Sequence, residues 1–524
     1  MSSHSIFLQA AACLAAWGLL VGNLPAQYRN VSASLNSEAA LRRLGLVRAW
    51  QTQIEYDANR GKLAGITQYI SDHTAQTIYE VTYPGGRMTF SDRDLDAFNQ
   101  PLGPKGAKQK AEEWIENWKI RTRSKAEPEI NEVVVPDVVL TAVSDRGMVQ
   151  CLNAETGRTL WTNKVGSVRL FTLPAAINEK NVAVVNGSTL YMLDRADGHI
   201  IWERKTSHPA GSGLAMSDEL VFVPMIDGHV EIFYIDEPRR PAANFQAIGR
   251  CLVQPVVFQD AVAWPTDRGI LYVANSEVPG IRFRITAKDE AKGSPAAIRS
   301  APTFRAGLEG EPPVVYFATS DGYLYSADTI KGSILHRFSA GEPITKTPVV
   351  VDDQVYVITD NGTLFCIGAD DGQERWFLAG MKTFLAANLD RVYCLDRSSR
   401  LIGIDAHSGS PLGTVDVGSL DHSFLNTQSD RVYVSSTSGV VQCLREARQY
   451  YPLVHGGMEP KKKFPTVVQE SEEPTEDGEG EMEKPEMEEE DPFGDKPAAK
   501  PAAKPAEKPA DKPAEDEDPF GDSK

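Results

Sequence analysis

Asn153–Trp161 reads NAETGRTLW, and the phrase returns as DRADGHIIW at Asp194–Trp202, GADDGQERW at Gly368–Trp376 and, without its tryptophan, IDAHSGSPLG at Ile404–Gly413. In each copy polar residues lead into a glycine: Gly157, Gly198, Gly372 and Gly409. Glycine takes the backbone conformation of a tight turn at no steric cost, and in three copies a strand carrying Trp161, Trp202 or Trp376 follows. Apolar runs rich in Val, Tyr and Phe lie upstream, beginning at Val138, Val182, Leu220, Ala261, Val314, Val355, Val392 and Val432. These residue types favour strands, and the runs are too short for ordinary helices. The starts lie 44, 38, 41, 53, 41, 37 and 40 residues apart. A steady period of this size marks a repeat architecture.

Tight turns punctuate that period. They are Asp145-Arg146-Gly147, Asn186-Gly187, Asp227-Gly228, Asp267-Arg268-Gly269, Asp321-Gly322, Asn361-Gly362 and Ser438-Gly439, and the seventh repeat has Ser399-Arg400 instead. Asp-Gly and Asn-Gly suit two-residue hairpins because both central residues need positive φ. Each repeat thus holds about four short strands, the content of one propeller blade. The expected fold is all-β: an eight-bladed propeller over residues 138–455, with seven blades as the alternative if a weak repeat is excluded.

The repeated phrase resembles the D-A-x-T-G-x-x-x-W motif of the PQQ-like repeats of quinoprotein-type propellers, over Val138 to Tyr450. The resemblance implies that each tryptophan inserts between neighbouring blades. Trp161, Trp202 and Trp376 are therefore read as packing residues rather than ligand contacts. Burying an indole removes roughly 150–250 Å² from water, an upper bound of ~4–6 kcal/mol at ~25 cal/mol per Å². The repeats at Leu220 and Ala261 lack the glycine–tryptophan pair, the one at Val314 reads Lys331-Gly332 to His336, and the one at Val392 has lost its tryptophan, so those blades are expected to be less regular. The eighth repeat ends at VVQCLREARQYY without a tryptophan-bearing strand, and residues 45–55 around Trp50 have the look of the missing one. Such closure leaves few open edges. Within residues 27–137, a hairpin over 77–93 and a charged helix over 106–125, with Trp114 and Trp118 one turn apart, complete the expected elements.

The family resemblance raises an oxidoreductase reading with pyrroloquinoline quinone and Ca²⁺ as cofactors. In such enzymes the quinone sits on the propeller axis, in many under a vicinal cysteine pair. This sequence has neither a Cys-Cys pair nor a CxxCH haem module. Asp92-Arg93-Asp94-Leu95-Asp96 starts like a Ca²⁺ loop but has Ala97 where the loop needs glycine and Gly103 where it needs glutamate. The sequence also lacks HExxH, G-x-S-x-G and a phosphate-binding loop. No catalytic or metal-ligating residue is therefore assigned, and no cofactor is expected.

Both ends differ from the repeats. Residues 1–26 carry the apolar stretch Ile6–Val21 ahead of Pro25-Ala26-Gln27 and read as a secretory signal, with an uncleaved anchor or a lipoprotein signal at Cys13 as alternatives. Export to the periplasm or cell envelope is the expectation, with a mature chain that is soluble or peripheral to a membrane. Residues 456–524 form an acidic Pro/Ala/Lys-rich tail, and Glu459–Lys524 alone holds 22 acidic and 10 basic residues, −12 of the chain's net −18. So little apolar content cannot offset the entropy of ordering, and disorder is expected. Asp491-Pro492-Phe493-Gly494-Asp495 recurs at Asp518–Asp522 around Phe520, which makes Phe493 and Phe520 candidate docking residues. The acidic balance disfavours nucleic acid. Five cysteines outside the leader, at least 28 residues apart, argue against a disulfide framework. The best-supported function is a protein-interaction scaffold with unidentified partners. At the level of repeat and blade count the chain resembles the propeller lipoproteins of the outer-membrane β-barrel assembly machinery.

Overall fold

A computed structural model describes residues 37–455, apart from residues 57–60, 97, 99, 124–125, 288–295, 308–310, 419, 421 and 437. The expected leader at 1–26 and the tail at 456–524, with Phe493 and Phe520, lie outside the described residues.

Apolar strands separated by glycine turns fold into antiparallel sheets, each built mainly from one repeat. Eight sheets stand in chain order among the described residues, seven of four strands and one of five. The second strand of a sheet holds the apolar run seen in the sequence. Asn181–Asn186, Leu220–Pro224 and Ala261–Pro265 are buried at every position, because a neighbouring sheet covers each of their faces. The fourth strands are the polar ones: Glu374–Ala379 buries only Trp376 fully. The first strands are short, two residues at Ala176–Ile177 and three at Thr303–Arg305. First strands of adjacent sheets touch one another around the axis.

The chain closes on itself. β1 (Leu46–Gln53) follows a short helix, α1 (Glu38–Arg43), and pairs antiparallel with Val440–Glu446, setting Trp50 opposite Cys443. The N-terminal strand is thus the outer strand of the eighth sheet, whose order ends on it. A buried ion group adds to this closure. The Arg431 guanidinium, 1% exposed, donates to Glu155 at 3.1 Å and to the Tyr450 carbonyl at 2.8 Å, and faces Asp430 at 3.3 Å. Glu155 belongs to the first repeat, so this contact ties the eighth sheet to the first.

Residues 77–93 do form a hairpin, and it is part of a larger arm. β2 (Leu63–Tyr83) pairs with β4 (Glu129–Ser144) along most of its length, and β3 (Gly86–Ser91) adds to its far end. Residues 63–70 therefore supply the first strand of the first sheet, while residues 75–83 extend beyond it. α2 (Gly103–Thr122), a few residues earlier than the expected span of 106–125, packs on this arm. Trp114 and Trp118 stack at 6.5 Å and both meet Tyr83. The carboxylates of Asp92, Asp94 and Asp96 accept backbone N–H groups of Thr77, Ser91, Phe98 and Gln100, so this acidic run caps turns.

The third to fifth repeats are no less regular for lacking the glycine–tryptophan pair, which corrects the sequence reading, whereas the Val392 repeat agrees with it: Met381–Ala387 carries two register shifts against Arg391–Asp396. The third to fifth sheets each have four strands. The seat left by a missing indole is filled by another ring: Phe283 lies over Gly332, and His336 over Gly372.

Candidate functional site

The blade motif is a clasp between consecutive sheets. Trp161 Nε1 donates to the Arg195 carbonyl at 2.7 Å, Trp376 Nε1 to Ala406 at 2.8 Å, and Trp50 Nε1 to Ala154 at 2.6 Å. In each case the acceptor lies three residues before a motif glycine of the next sheet, and the indole rests on that glycine. A Cβ built on Gly157, Gly198 or Gly409 would come within 2.3–2.6 Å of the ring of Trp50, Trp161 or Trp376. The glycine thus serves a turn at positive φ and a close interblade approach together. Trp202 has no such glycine ahead of it. It is half-buried and reaches the Ile235 carbonyl at 3.2 Å. Trp50, Trp161, Trp202 and Trp376 are all spent on packing.

The sheets enclose an axial cavity of about 870 Å³. Its wall comes mainly from the first strands and the segments flanking them, with Gln68, Asn178, Ser217, Gln254 and Asn426 among the polar groups. The C-terminal strand bridge, Ser429 to Val454, brings His455 to the same wall, where its backbone N–H donates to the Gln428 carbonyl at 2.9 Å. No spacing motif pointed to His455, because closure of the chain places it there. The charged lining residues are Asp218, Glu219 and Glu277, and none of the described lining residues is Lys or Arg. Pyrroloquinoline quinone carries three carboxylates. A wall without a fixed cation and with three carboxylates of its own does not fit it.

The five described cysteines are free and buried. Cys151, Cys366, Cys394 and Cys443 lie on strands, and Cys251 lies in a connecting loop. Burial pushes Cys151 up to about 11 and Cys251 and Cys366 up to about 12, and it raises Cys394 and Cys443 further. Thiols held protonated are poor nucleophiles. Asp194, Asp197 and His199 could reach a common cation, but the first two carboxylates serve their own turn, accepting the N–H groups of Ala196 and His199.

Antiparallel order sorts the loops into two ends. Turns from first to second strand and from third to fourth share one end, called here the turn end. Second-to-third turns and the connections to the next sheet share the other, the connector end. On the connector end Val168, Leu170, Phe171, Ile226, Ile248 and Leu252 are exposed, Phe171 at 65%. Val168, Leu170 and Phe171 lie in the connection from the first sheet to the second, Ile226 in a turn of the third sheet, and Ile248 and Leu252 in the connection from the third to the fourth. Phe171 also receives the Arg146 guanidinium at 5.3 Å from its ring.

Sheet order and interblade clasps define a β-propeller of PQQ-like repeats. The chain belongs to the family described as outer membrane protein assembly factor BamB, whose model matches residues 117–240 and 282–451. Two relatives are an outer membrane protein assembly factor BamB of Yersinia pestis, 23% identical over 287 residues, and a tetrathionate hydrolase of Acidithiobacillus ferrooxidans, 25% identical over 235 residues. The matches cover 52% and 39% of this chain. The chain spans 62% of the first relative and 44% of the second, less than two thirds of either. Among solved structures, BamB from Moraxella catarrhalis aligns with TM-score 0.49 and 15% identity, covering 59% of this chain and 92% of that one. Sqt1 of Saccharomyces cerevisiae aligns with TM-score 0.47 and 14% identity over the same shares. No helix among the described residues is long and apolar enough to cross a membrane.

Proposed function

We propose that this chain is a non-catalytic interaction scaffold, exported to the bacterial cell envelope, that takes protein partners on the connector end of its propeller. The observation that carries this reading is the exposure of Val168, Leu170, Phe171, Ile226, Ile248 and Leu252 in loops that share the connector end. Large apolar side chains left exposed together at one end of a fold are a usual mark of a protein interface. The description of the matched family, an outer-membrane protein assembly factor, supports an envelope location and a partner from that compartment. The tail motifs at Phe493 and Phe520 would add a second, salt-sensitive contact.

The test is a pull-down from an envelope extract with the full chain and with a Leu170→Asp/Phe171→Asp variant. Both side chains are exposed, so the variant should melt like the parent. Loss of specific partners is expected, and an unchanged set of bound proteins would overturn the reading. A second reading, an enzyme, draws on the likeness to tetrathionate hydrolase. For its quinoprotein form, titration with pyrroloquinoline quinone with and without Ca²⁺ is decisive. The scaffold reading expects no saturable binding.

A further inference from the structure

An unpaired strand edge invites pairing with another chain, and folds blunt such edges with bulges, short strands, charges or proline. The propeller does so throughout. Seven of its eight outer strands carry a register shift against their neighbour. The eighth, Ala243–Gln246, has only four residues. The far half of β4 carries Glu129, Glu132 and Pro136. β3 has none of these devices. It runs six residues without proline and pairs with β2 without a register shift. Its one charged side chain, Arg87, is held by Glu80 at 3.0 Å and lies over the Tyr450 ring at 3.3 Å. β3 also stands ahead of residue 117, where the family match begins, so this edge lies outside the matched region.

The backbone groups on that edge can be assigned. Tyr83 faces Gly86 across the two-residue turn Pro84-Gly85. Such a closing pair exchanges hydrogen bonds, and bonded and unbonded pairs then alternate along an antiparallel ladder. Met88 and Phe90 therefore bond inward to β2, while Arg87, Thr89 and Ser91 turn their N–H and C=O groups outward. Ser91 bears out the alternation: its N–H donates to the Asp94 carboxylate at 2.9 Å, and its carbonyl accepts the Asp94 N–H at 3.1 Å. Those two bonds stop the free edge at Ser91. No described residue bonds the outward groups of Arg87 and Thr89, which leaves two donors and two acceptors facing solvent. Met88, between them and on the same face as Phe90, is 43% exposed.

We propose that β3 pairs antiparallel with β3 of a second copy of this chain, about a two-fold axis through Met88. The free edge is complementary to itself in that register. Arg87 of each copy faces Thr89 of the other, so all the outward donors and acceptors are met. Met88 meets its counterpart at the axis, and Phe90 of each copy lies across from Gly86 of the other, an aromatic ring covering a strand glycine. An axis at Arg87 would set two guanidinium groups against each other. An axis at Thr89 would oppose Arg87 to Ser91, whose backbone groups Asp94 already holds. Charge and hydrogen bonding together therefore select one register. A two-fold contact of this kind closes on itself and does not propagate into a fibre. The proposal does not rest on the scaffold reading, since it uses the arm and not the connector end.

Sedimentation of the full chain tests it, and a concentration-dependent dimer is expected at or below about 100 μM. Thr89→Pro removes an outward N–H without touching the ladder to β2, a change that edge strands tolerate. Met88→Lys sets two ammonium groups against each other at the axis. Each should weaken the dimer at least about tenfold and leave the melting temperature of the dilute chain in place. Cysteine variants report the register. Facing residues of an unbonded antiparallel pair have Cα atoms about 4.5 Å apart, within disulfide reach. Oxidised glutathione should therefore cross-link Met88→Cys into a dimer. Thr89→Cys should stay uncross-linked, because its counterparts stand two places apart. The five described native cysteines are buried, and the parent chain is the control. A chain that stays monomeric at about 100 μM would overturn the proposal and leave the edge to a strand of another protein. A dimer unaffected by both Thr89→Pro and Met88→Lys, or cross-linking of Thr89→Cys in place of Met88→Cys, would overturn it as well.

Discussion

Gly409→Ala separates the two demands placed on the motif glycine. Gly409 has φ +70°, and a Cβ there would lie 2.6 Å from ring carbons of Trp376. Gly341 provides the control, with φ +69° and nothing within 4 Å of its would-be Cβ. A left-handed conformation costs an L-residue roughly 1–2 kcal/mol, so Gly341→Ala should lose about that much. Gly409→Ala pays the same conformational term and must also push the indole aside, straining the Trp376 hydrogen bond to the Ala406 carbonyl. Overpacking of this kind costs roughly 1–3 kcal/mol, for a total of ~2–5 kcal/mol. Trp376 is 8% exposed and also packs on Tyr356 at 6.0 Å, so Trp376→Ala should by itself lose ~3–5 kcal/mol, the usual range for a buried large aromatic. In the Trp376→Ala background there is no ring to displace. Gly409→Ala should then cost only what Gly341→Ala costs, so that the double variant is more stable than the sum of the singles predicts by about the overpacking term. Denaturant midpoints and slopes of the full chain give all five values. Equal losses for Gly341→Ala and Gly409→Ala, or strict additivity with Trp376→Ala, would refute the clasp and leave the glycine as a turn residue alone.

Trp202→Ala should lose less than Trp376→Ala, because Trp202 is half-buried and its hydrogen bond is the longest of the four; denaturant melts that place them in the reverse order count against the clasp geometry. Asp430 gives a pH signature. Burial pushes its carboxyl up to about 6, against the opposing pull of Arg431. A raised carboxyl favours the folded state below its unfolded value of about 3.9, and that contribution disappears as pH rises through about 6. The parent should therefore lose stability relative to Asp430→Asn between about pH 4 and pH 6.5, and parallel thermal-melt profiles would show that Asp430 does not titrate there. Removing residues 456–524 should leave the melting temperature nearly unchanged, since a segment so poor in apolar residues offers no core; a drop of several degrees would give the tail a structural role. Phe493→Ala with Phe520→Ala should release an envelope partner at physiological salt, and an unchanged pull-down would leave the tail as a spacer.

Self-similarity at a period near 42 residues, alternating strand formers and Asp-Gly or Asn-Gly turns are local signals, and they were enough to read an all-β repeat fold from the sequence. The strand around Trp50 was legible because the last repeat lacked an outer strand and a matching segment stood near the N-terminus. The two- and three-residue first strands were not, because so short a segment has no periodicity of its own and is held by its neighbour. His336 stood at the tryptophan position of its repeat in the sequence, but Phe283 could not be read as a stand-in, since an interblade seat is defined by the facing sheet and accepts any ring that covers its glycine. The sequence also supplied only one reason for Gly157, Gly198 and Gly409, their turn; the second, the indole pressed against each of them, exists only once two sheets face each other. The same holds for Glu155, Asp430 and Arg431, which are up to 276 residues apart and meet only because the chain closes. His455, Gln68 and the carboxylates Asp218, Glu219 and Glu277 on the wall of the axial cavity share no spacing at all. Sequence determined what each repeat folds into, because turns and strands are settled by near neighbours. Tertiary structure decided what the ring encloses and which distant groups meet, because those contacts join residues that no local pattern connects.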